Sequence, residues 1–126
     1  MRIKTEDFDL ERILRGVKNL RDGAIVIFLG MVRKEPELVA LEYEAYEDMA
    51  LTKIKNLEKE AVKRFGLTKA LIIHRKGRLR VGERVVMVTC SAPHRREAFE
   101  ACQWLTSEMK KMVPIWKQMV YNDQDD

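Results

Sequence analysis

The fold of this chain is decided by residues 84–110, which read RVVMVTCSAPHRREAFEACQWLTSEMK. The first part, from Arg84 to Ser91, is dense in β-branched and other apolar residues and predicts a strand. From Pro93 to Lys110 the apolar residues recur at helical spacing, and the predicted core face carries Ala98, Ala101, Cys102, Leu105 and Met109. A strand that leads directly into a long amphipathic helix favours a domain that mixes α and β structure.

The same mixture of elements extends toward the N-terminus. Apolar spacing predicts a short helix from Asp9 to Val17 and a long one from Glu47 to Phe65, which Gly66 ends. Three further strands are predicted, the first fully buried and the second amphipathic: Ala24–Val32, Val39–Tyr46 and Leu67–His74.

Glycine-containing segments and a proline separate the later elements. Lys76-Gly77-Arg78 and Val81-Gly82-Glu83 are turn-like, and Pro114 ends the second long helix before a final extended piece. The sequence contains no repeat and no linker. We therefore predict one α/β (α+β) domain over residues 1–126, with two long helices and a mixed or antiparallel sheet in which adjacent strands pair.

Composition limits the possible classes of function. The 24 basic and 20 acidic residues leave a net charge of +4 and are interleaved along the chain. This charge is too small and too dispersed to indicate nucleic-acid binding, but it favours a small anionic substrate or an acidic partner. No segment has the roughly 18 apolar residues of a membrane helix, and the acidic N-terminus lacks a signal-peptide core, so we expect a cytoplasmic protein. Cys90 and Cys102 lack metal-ligand spacing and are expected to be buried thiols.

Two lysines flank the proline that ends the second long helix. Lys110 precedes Pro114 and Lys117 follows it, so both amines can converge where the chain turns. Taken alone, this pattern favours, by roughly three to one, lysines that complement the dipole at the C-terminal end of the helix.

A second basic group opens the same helix. His94, Arg95 and Arg96 lie where the free amide hydrogens of a helix terminus favour an anion such as phosphate or carboxylate. Pairing of the two arginines with nearby glutamates is equally consistent with the sequence. Arg33, just past the predicted buried strand, is a third basic candidate at the end of an element.

The other polar residues of the predicted strands receive structural interpretations. His74 ends a strand and is interpreted as a structural polar residue, while Glu42 and Glu44 are interpreted as a solvated strand face. The sequence shows no glycine-rich phosphate loop, no serine elbow and no cluster of metal ligands, so no metal site is expected.

Five segments follow one another in the order seen in a known family. They read GAIVIFLGMVR at 23–33, LEYEAYEDMA at 41–50, IHRKGRLRVGE at 73–83, APHRREAF at 92–99 and VPIWK at 113–117. Together they resemble the large, catalytic subunit of molybdopterin synthase. Each segment alone is a weak signal, whereas five in order from about Asp22 to Lys117 are specific.

The resemblance implies a hammerhead-type α/β fold and a sulfurtransferase activity. The family converts cyclic pyranopterin monophosphate to molybdopterin during biosynthesis of the molybdenum or tungsten cofactor. The sulfur comes from the thiocarboxylated Gly-Gly C-terminus of a small, ubiquitin-like carrier subunit. A homodimer binds two carriers and forms a heterotetramer. No metal, organic cofactor, nucleic acid or membrane is implied.

The resemblance also implies site residues by position. Lys110 and Lys117 match two active-site lysines that serve catalysis and substrate binding. Arg33, His94 and Arg95 match basic residues that bind the substrate, and we expect Arg95 to crowd Lys110. The same pocket is expected to be lined by Met31, Val32, Gln118 and Met119.

Some features depart from the family pattern. The segment between Arg33 and Leu41 is shorter than usual, Met119 stands where many relatives have glutamate, and the tail from Asn122 to Asp126 is expected to fray.

Two alternatives to this function are a non-catalytic module that binds anions or nucleic acid, and an inactive scaffold-type relative. No exposed aromatic residues are expected between the basic ones, since Trp116 sits among apolar neighbours, and this disfavours the first alternative. The retained basic positions disfavour the second.

Overall fold

The computed structural model describes residues 2–122 of the chain. Of the tail expected to fray, only Asn122 lies within the described residues. The elements, in chain order, are β1 (Ile3–Lys4), α1 (Leu10–Val17), β2 (Ala24–Met31), β3 (Leu38–Ala45), α2 (Glu47–Phe65), β4 (Lys69–Arg75), β5 (Gly77–Arg80), β6 (Arg84–Ala92), α3 (Arg95–Met112) and β7 (Ile115–Tyr121). This arrangement confirms the expected α+β fold class.

The strands form two separate sheets. The four-stranded sheet has the order β1-β4-β6-β2, in which β1 runs parallel to β4 and the other neighbours are antiparallel. The three-stranded sheet has the order β5-β3-β7 and is antiparallel throughout. From β2 onward the chain alternates between the two sheets, since β2, β4 and β6 belong to the four-stranded sheet and β3, β5 and β7 to the three-stranded one.

The main core lies between the four-stranded sheet and the helices α2 and α3. Ile54 of α2 and Leu105 of α3 are fully buried there against Ile72 of β4 and Val88 of β6. Burial of one such side chain contributes roughly 1.5–3 kcal/mol. The apolar faces predicted for the two long helices are therefore the faces that pack against the sheet.

The opposite face of the same sheet is covered by α1. Phe8, Ile73 and Met87 are buried there, with Leu10 and Ile13 of α1 packed against them. Successive residues of a strand point to opposite faces, so neighbouring residues of β4 serve two different cores. Because both faces are covered, β4 is apolar along most of its length.

Three expectations from the sequence are wrong. The strand predicted as fully buried is β2, which lies at the edge of its sheet and leaves Phe28 41% exposed. β2 and β3 are adjacent in the chain but do not pair, because they belong to different sheets. The turn-like segment 76–78 overlaps β5. This strand has a single buried residue, Leu79, so it is too short to show the alternation of buried and exposed residues that predicts a strand.

Candidate active site

The junction of α3 and β7 sets the positions of Lys110 and Lys117. α3 ends at Met112, and Pro114 cannot continue the helix because it lacks an N–H and its ring clashes with the preceding turn. β7 begins immediately afterwards at Ile115. One lysine therefore lies in the last turn of the helix and the other at the third position of the strand.

Both lysines line an open cleft of about 720 Å³. The cleft lies where the two sheets meet the C-terminal end of α3. Its described lining residues are Phe28, Gly30, Met31, Tyr43, His74, Val85, Val86, Val88, Thr106, Ser107, Met109, Lys110, Ile115, Trp116 and Lys117. A cleft of this size suits a small-molecule substrate.

The charge of the cleft is one-sided. Among its described lining residues, Lys110 and Lys117 carry ammonium groups and none is Asp or Glu. An ammonium group only donates hydrogen bonds, and the apolar walls strengthen its attraction for an anion. The geometry therefore favours an anionic ligand that contacts two amines.

Tyr43 and His74 form part of the wall near Lys117. Tyr43 lies directly opposite Lys117 in the ladder between β3 and β7, so the two side chains share one face of the sheet. The ring of His74 packs edge-on against Tyr43, with 5.1 Å between ring centroids. Burial raises the pKa of Tyr43 and lowers the pKa of His74, so the imidazole is neutral at pH 7.

The residues expected around Arg33 take different positions. Met31 lines the cleft, but Val32 is buried and packs in the cluster beneath the three-stranded sheet. The N–H of Val32 donates to the carbonyl of Glu83 at 2.9 Å. The side chain of Arg33 is 85% exposed and pairs with Glu35 at 3.1 Å. In one chain, Arg33 is thus outside the cleft wall.

Gln118 and Met119 continue β7 beyond Lys117. They lie opposite Glu42 and Leu41 in the β3–β7 ladder, and both are exposed. Neither is among the described residues that line the cleft. Met119 lies on the same face of β7 as Lys117, and Gln118 lies on the opposite face.

His94 and Arg95 lie at the far end of α3. Arg95 and Lys110 are 15 positions apart in the chain, which corresponds to about 22 Å along a helix, so within one chain Arg95 does not crowd Lys110. His94 has an 83% exposed side chain, 4.0 Å from Glu97. Arg96 pairs with Glu100 at 2.9 Å, as the alternative interpretation of this cluster expects.

Sequence reasoning missed several lining residues. Thr106 and Ser107 precede Lys110 by four and three residues, and this spacing alone places them on the same helix face. Phe28 and Trp116 lie within the quoted family segments but carry no charge to single them out. Tyr43 and His74 also lie within the quoted segments, but nothing in their local sequence shows that the junction of the two sheets brings them together.

Other kinds of site are absent from the described part of the chain. No group of three potential metal ligands converges within residues 2–122. Cys90 and Cys102 are free and buried, as expected. None of the three helices is long and apolar enough to cross a membrane.

The fold and the cleft define an α+β protein with an open cleft that is lined by two lysines and by no described acidic residue. A family model described as MoaE protein matches residues 3–112. The molybdopterin synthase catalytic subunit of Pyrococcus abyssi is 47% identical over 123 residues, which cover 95% of this chain and 83% of that protein. The catalytic subunit of Brucella melitensis is 43% identical over 92% of this chain and 73% of that protein.

A solved structure supports the same assignment. Molybdopterin synthase from Staphylococcus aureus superimposes with a TM-score of 0.92 at 33% identity, covering 97% of this chain and 91% of that chain. The chain belongs to the MoaE protein family, the family of molybdopterin synthase catalytic subunits. The resemblance inferred from the five segments is confirmed.

Proposed function

We propose that the protein is the catalytic subunit of a molybdopterin synthase and acts as a sulfurtransferase. It converts cyclic pyranopterin monophosphate to molybdopterin with sulfur from the thiocarboxylated C-terminus of a small carrier subunit. The observation that carries this proposal is the convergence of Lys110 and Lys117 in a cleft without a described acidic residue. A cytoplasmic location stays a prediction.

The charge of the cleft suits both reactants. The substrate carries a cyclic phosphate, and the carrier presents an anionic thiocarboxylate. Two anions repel each other, so holding them in contact requires cations between or beside them. Lys110 and Lys117 supply these cations, and the apolar walls exclude competing water from part of the cleft.

The chemistry divides into two bond changes. The thiocarboxylate sulfur attacks a carbon of the substrate and displaces an oxygen, which a lysine ammonium protonates or stabilises. Carrier and substrate are then joined as an acyl thioester. Sulfur stays on the product only if the acyl carbon–sulfur bond breaks next, and water is the nucleophile that returns the carrier as a carboxylate.

A second copy of the chain completes the proposed site. α3 holds His94 and Arg95 about 22 Å from Lys110, so all three meet one substrate only when they come from different copies. A homodimer with two such sites, each taking one carrier, gives the expected heterotetramer. Arg33, Gln118 and Met119, which are exposed outside the single-chain cleft, and the buried Val32 remain proposed substrate-binding positions.

The decisive experiment incubates the protein with thiocarboxylated carrier and cyclic pyranopterin monophosphate and measures dithiolene product. We expect Lys110→Ala and Lys117→Ala each to lower the rate by about 100-fold or more. The matched control is Lys111→Ala: this side chain is 70% exposed, pairs with Glu108 at 3.7 Å, and does not line the cleft. It is expected to leave the rate nearly unchanged.

Two results would contradict the proposal. If wild-type protein gives no product under conditions where a known synthase works, the protein is not such an enzyme. If Lys110→Ala transfers sulfur at the wild-type rate, Lys110 has no part in the chemistry.

A further inference from the structure

His74 is a cleft residue that the lysine chemistry does not use. It is 8% exposed, yet it is one of the residues that line the cleft. Its Nδ1 lies 2.6 Å from the carbonyl oxygen of Arg75, and only a protonated nitrogen can donate to that oxygen. The contact therefore assigns the proton of the neutral ring to Nδ1 and leaves a lone pair on Nε2.

Nε2 is free to act on a ligand. Within residues 2–122, the one hydrogen bond of the ring is that of Nδ1 with the Arg75 carbonyl, and Nε2 makes none. The backbone N–H of His74 is already satisfied by the carbonyl of Arg2 at 2.8 Å. The main chain and Nδ1 thus hold the residue in place, and the remaining polar atom is unused by the fold.

Among the described residues that line the cleft, His74 is the one that can act as a general base. Lys110 from α3 and Lys117 from β7 present ammonium groups, and Tyr43 from β3 presents a phenol whose pKa burial raises further. The lining hydroxyls of Thr106 and Ser107 are much weaker bases than imidazole. A group that activates water needs an available lone pair, and among the described lining residues His74 alone offers a strong one.

We propose that His74 is the general base that releases the carrier after sulfur transfer. This rests on the proposed function, in which carrier and substrate are joined as an acyl thioester. Nε2 accepts one proton of a water as the water oxygen bonds to the acyl carbon. The carbon–sulfur bond breaks with its electron pair kept by the product sulfur. The carrier leaves as a carboxylic acid whose ionisation releases the second proton of the water.

The surroundings of His74 fit each stage of that step. The carbonyl of Arg75 accepts from Nδ1 and stabilises the imidazolium that forms when Nε2 takes the proton. Lys110 and Lys117 can stabilise the negative charge on the acyl oxygen and on the departing sulfur. Burial lowers the pKa of His74, so the ring is neutral before the step and releases the proton to solvent afterwards.

The test is His74→Asn in single-turnover reactions with thiocarboxylated carrier and cyclic pyranopterin monophosphate. The asparagine amide can still donate to the Arg75 carbonyl, but it has no basic nitrogen. Denaturing mass spectrometry should show a carrier–substrate adduct whose breakdown is about 100-fold slower than in wild type. Hydroxylamine cleaves thioesters without a base and should discharge the adduct as the carrier hydroxamate.

The control for general damage to β4 is Ile73→Val, because Ile73 faces the α1 side of the sheet. It should break down the adduct at the wild-type rate. A folded His74→Asn variant that does the same overturns the proposal. So does one that forms no adduct, since His74 would then act before sulfur transfer.

A measurement on wild type covers the case in which the variant does not fold. Rapid-quench adduct breakdown should be constant from pH 8 down to below the ordinary pKa of histidine, about 6.5, and fall only at lower pH. A rate that still rises above pH 7.5 overturns the proposal. Failure of the proposed function is distinguishable, because wild type would then form neither adduct nor product.

Discussion

A side chain would be excluded at Gly23 but accommodated at Gly16. A Cβ on Gly23 would lie 2.5 Å from the carbonyl oxygen of Pro93, which also accepts from the Gly23 N–H at 3.0 Å. Gly16 lies inside α1 with nothing within 4 Å of such a Cβ. We expect Gly23→Ala to lower the free energy of unfolding by about 1–3 kcal/mol, and Gly16→Ala to raise it by about 0.5–1 kcal/mol.

Urea denaturation of the two glycine variants measures both changes. If the two variants change the free energy of unfolding equally, the turn before β2 can shift without cost. The contact between Gly23 and Pro93 would then not fix the start of α3.

The second residue-level prediction concerns stability and pH. Burial lowers the pKa of His74 in the folded protein below that of the unfolded chain, about 6.5. Between those two values the unfolded chain binds more protons, so the free energy of unfolding falls as pH falls from about 6.5 through the folded-state pKa. The slope from this one group is at most about 1.4 kcal/mol per pH unit.

We expect His74→Asn to flatten that slope in urea denaturation between pH 7.5 and 5. His94→Asn is the control, because it removes the other histidine from an exposed position. An unchanged slope in His74→Asn would mean that the ring is not buried neutral.

Lys110, Lys111 and Lys117 show how far a site can be predicted from sequence. The resemblance to the family implied Lys110 and Lys117 as site residues, while their spacing alone favoured a helix-dipole role. The structure separates Lys110 from Lys111 by the turn of about 100° per residue in a helix. His74 could not be predicted as a cleft residue, because it reaches the cleft through the junction of the two sheets, and that junction leaves no pattern in the local sequence.

At the scale of elements, the sequence predicts helices better than strand pairing. α2 and α3 were predicted within two residues because their apolar spacing is local. β2 was predicted as fully buried because its residues are apolar, but apolarity does not distinguish a central strand from an edge strand beside a cleft. β5 is four residues long, and it is recognisable only through its pairing with β3.

Pro114 is the element-level feature with a functional consequence. Its carbonyl accepts from the N–H of Tyr46 at 3.2 Å, which ties the α3–β7 corner to the start of α2. We expect Pro114→Ala to lower the free energy of unfolding by about 0.4–1 kcal/mol. Sulfur transfer should fall by about tenfold or more, because α3 is free to extend and Lys110 and Lys117 lose their relative placement.

Pro36→Ala is the matched control, since it makes the same chemical change outside the α3–β7 corner. Denaturation gives the stability of both variants, and initial rates give their activity. Equal loss of activity in the two would contradict a role of Pro114 in positioning the lysines.

At the scale of the molecule, the cleft is a product of the two-sheet architecture. β3 and β7 bring Tyr43 and Lys117 to a wall that β2 and β6 complete from the other sheet. The fold class was predictable because it depends on the order of elements. The assignment of strands to sheets was not, since it depends on contacts between residues far apart in the chain.

The whole-molecule prediction uses the rigid length of α3 to test the homodimer. Lys110→Ala and Arg95→Ala homodimers should each be nearly inactive. After subunit exchange, half of the dimers hold one of each variant, and one of the two sites in those dimers keeps both residues. Mixing should therefore restore about a quarter of wild-type activity.

A mixture of Lys110→Ala with Lys117→Ala is the control for this exchange. Both lysines line the cleft of a single chain, so every site in the mixed dimer lacks one of them and no activity should return. Because about 22 Å of helix separates Arg95 from Lys110, recovery only in the first mixture requires a site shared between two copies. If neither mixture recovers while subunits exchange, Arg95 and Lys110 do not serve one substrate across a dimer interface.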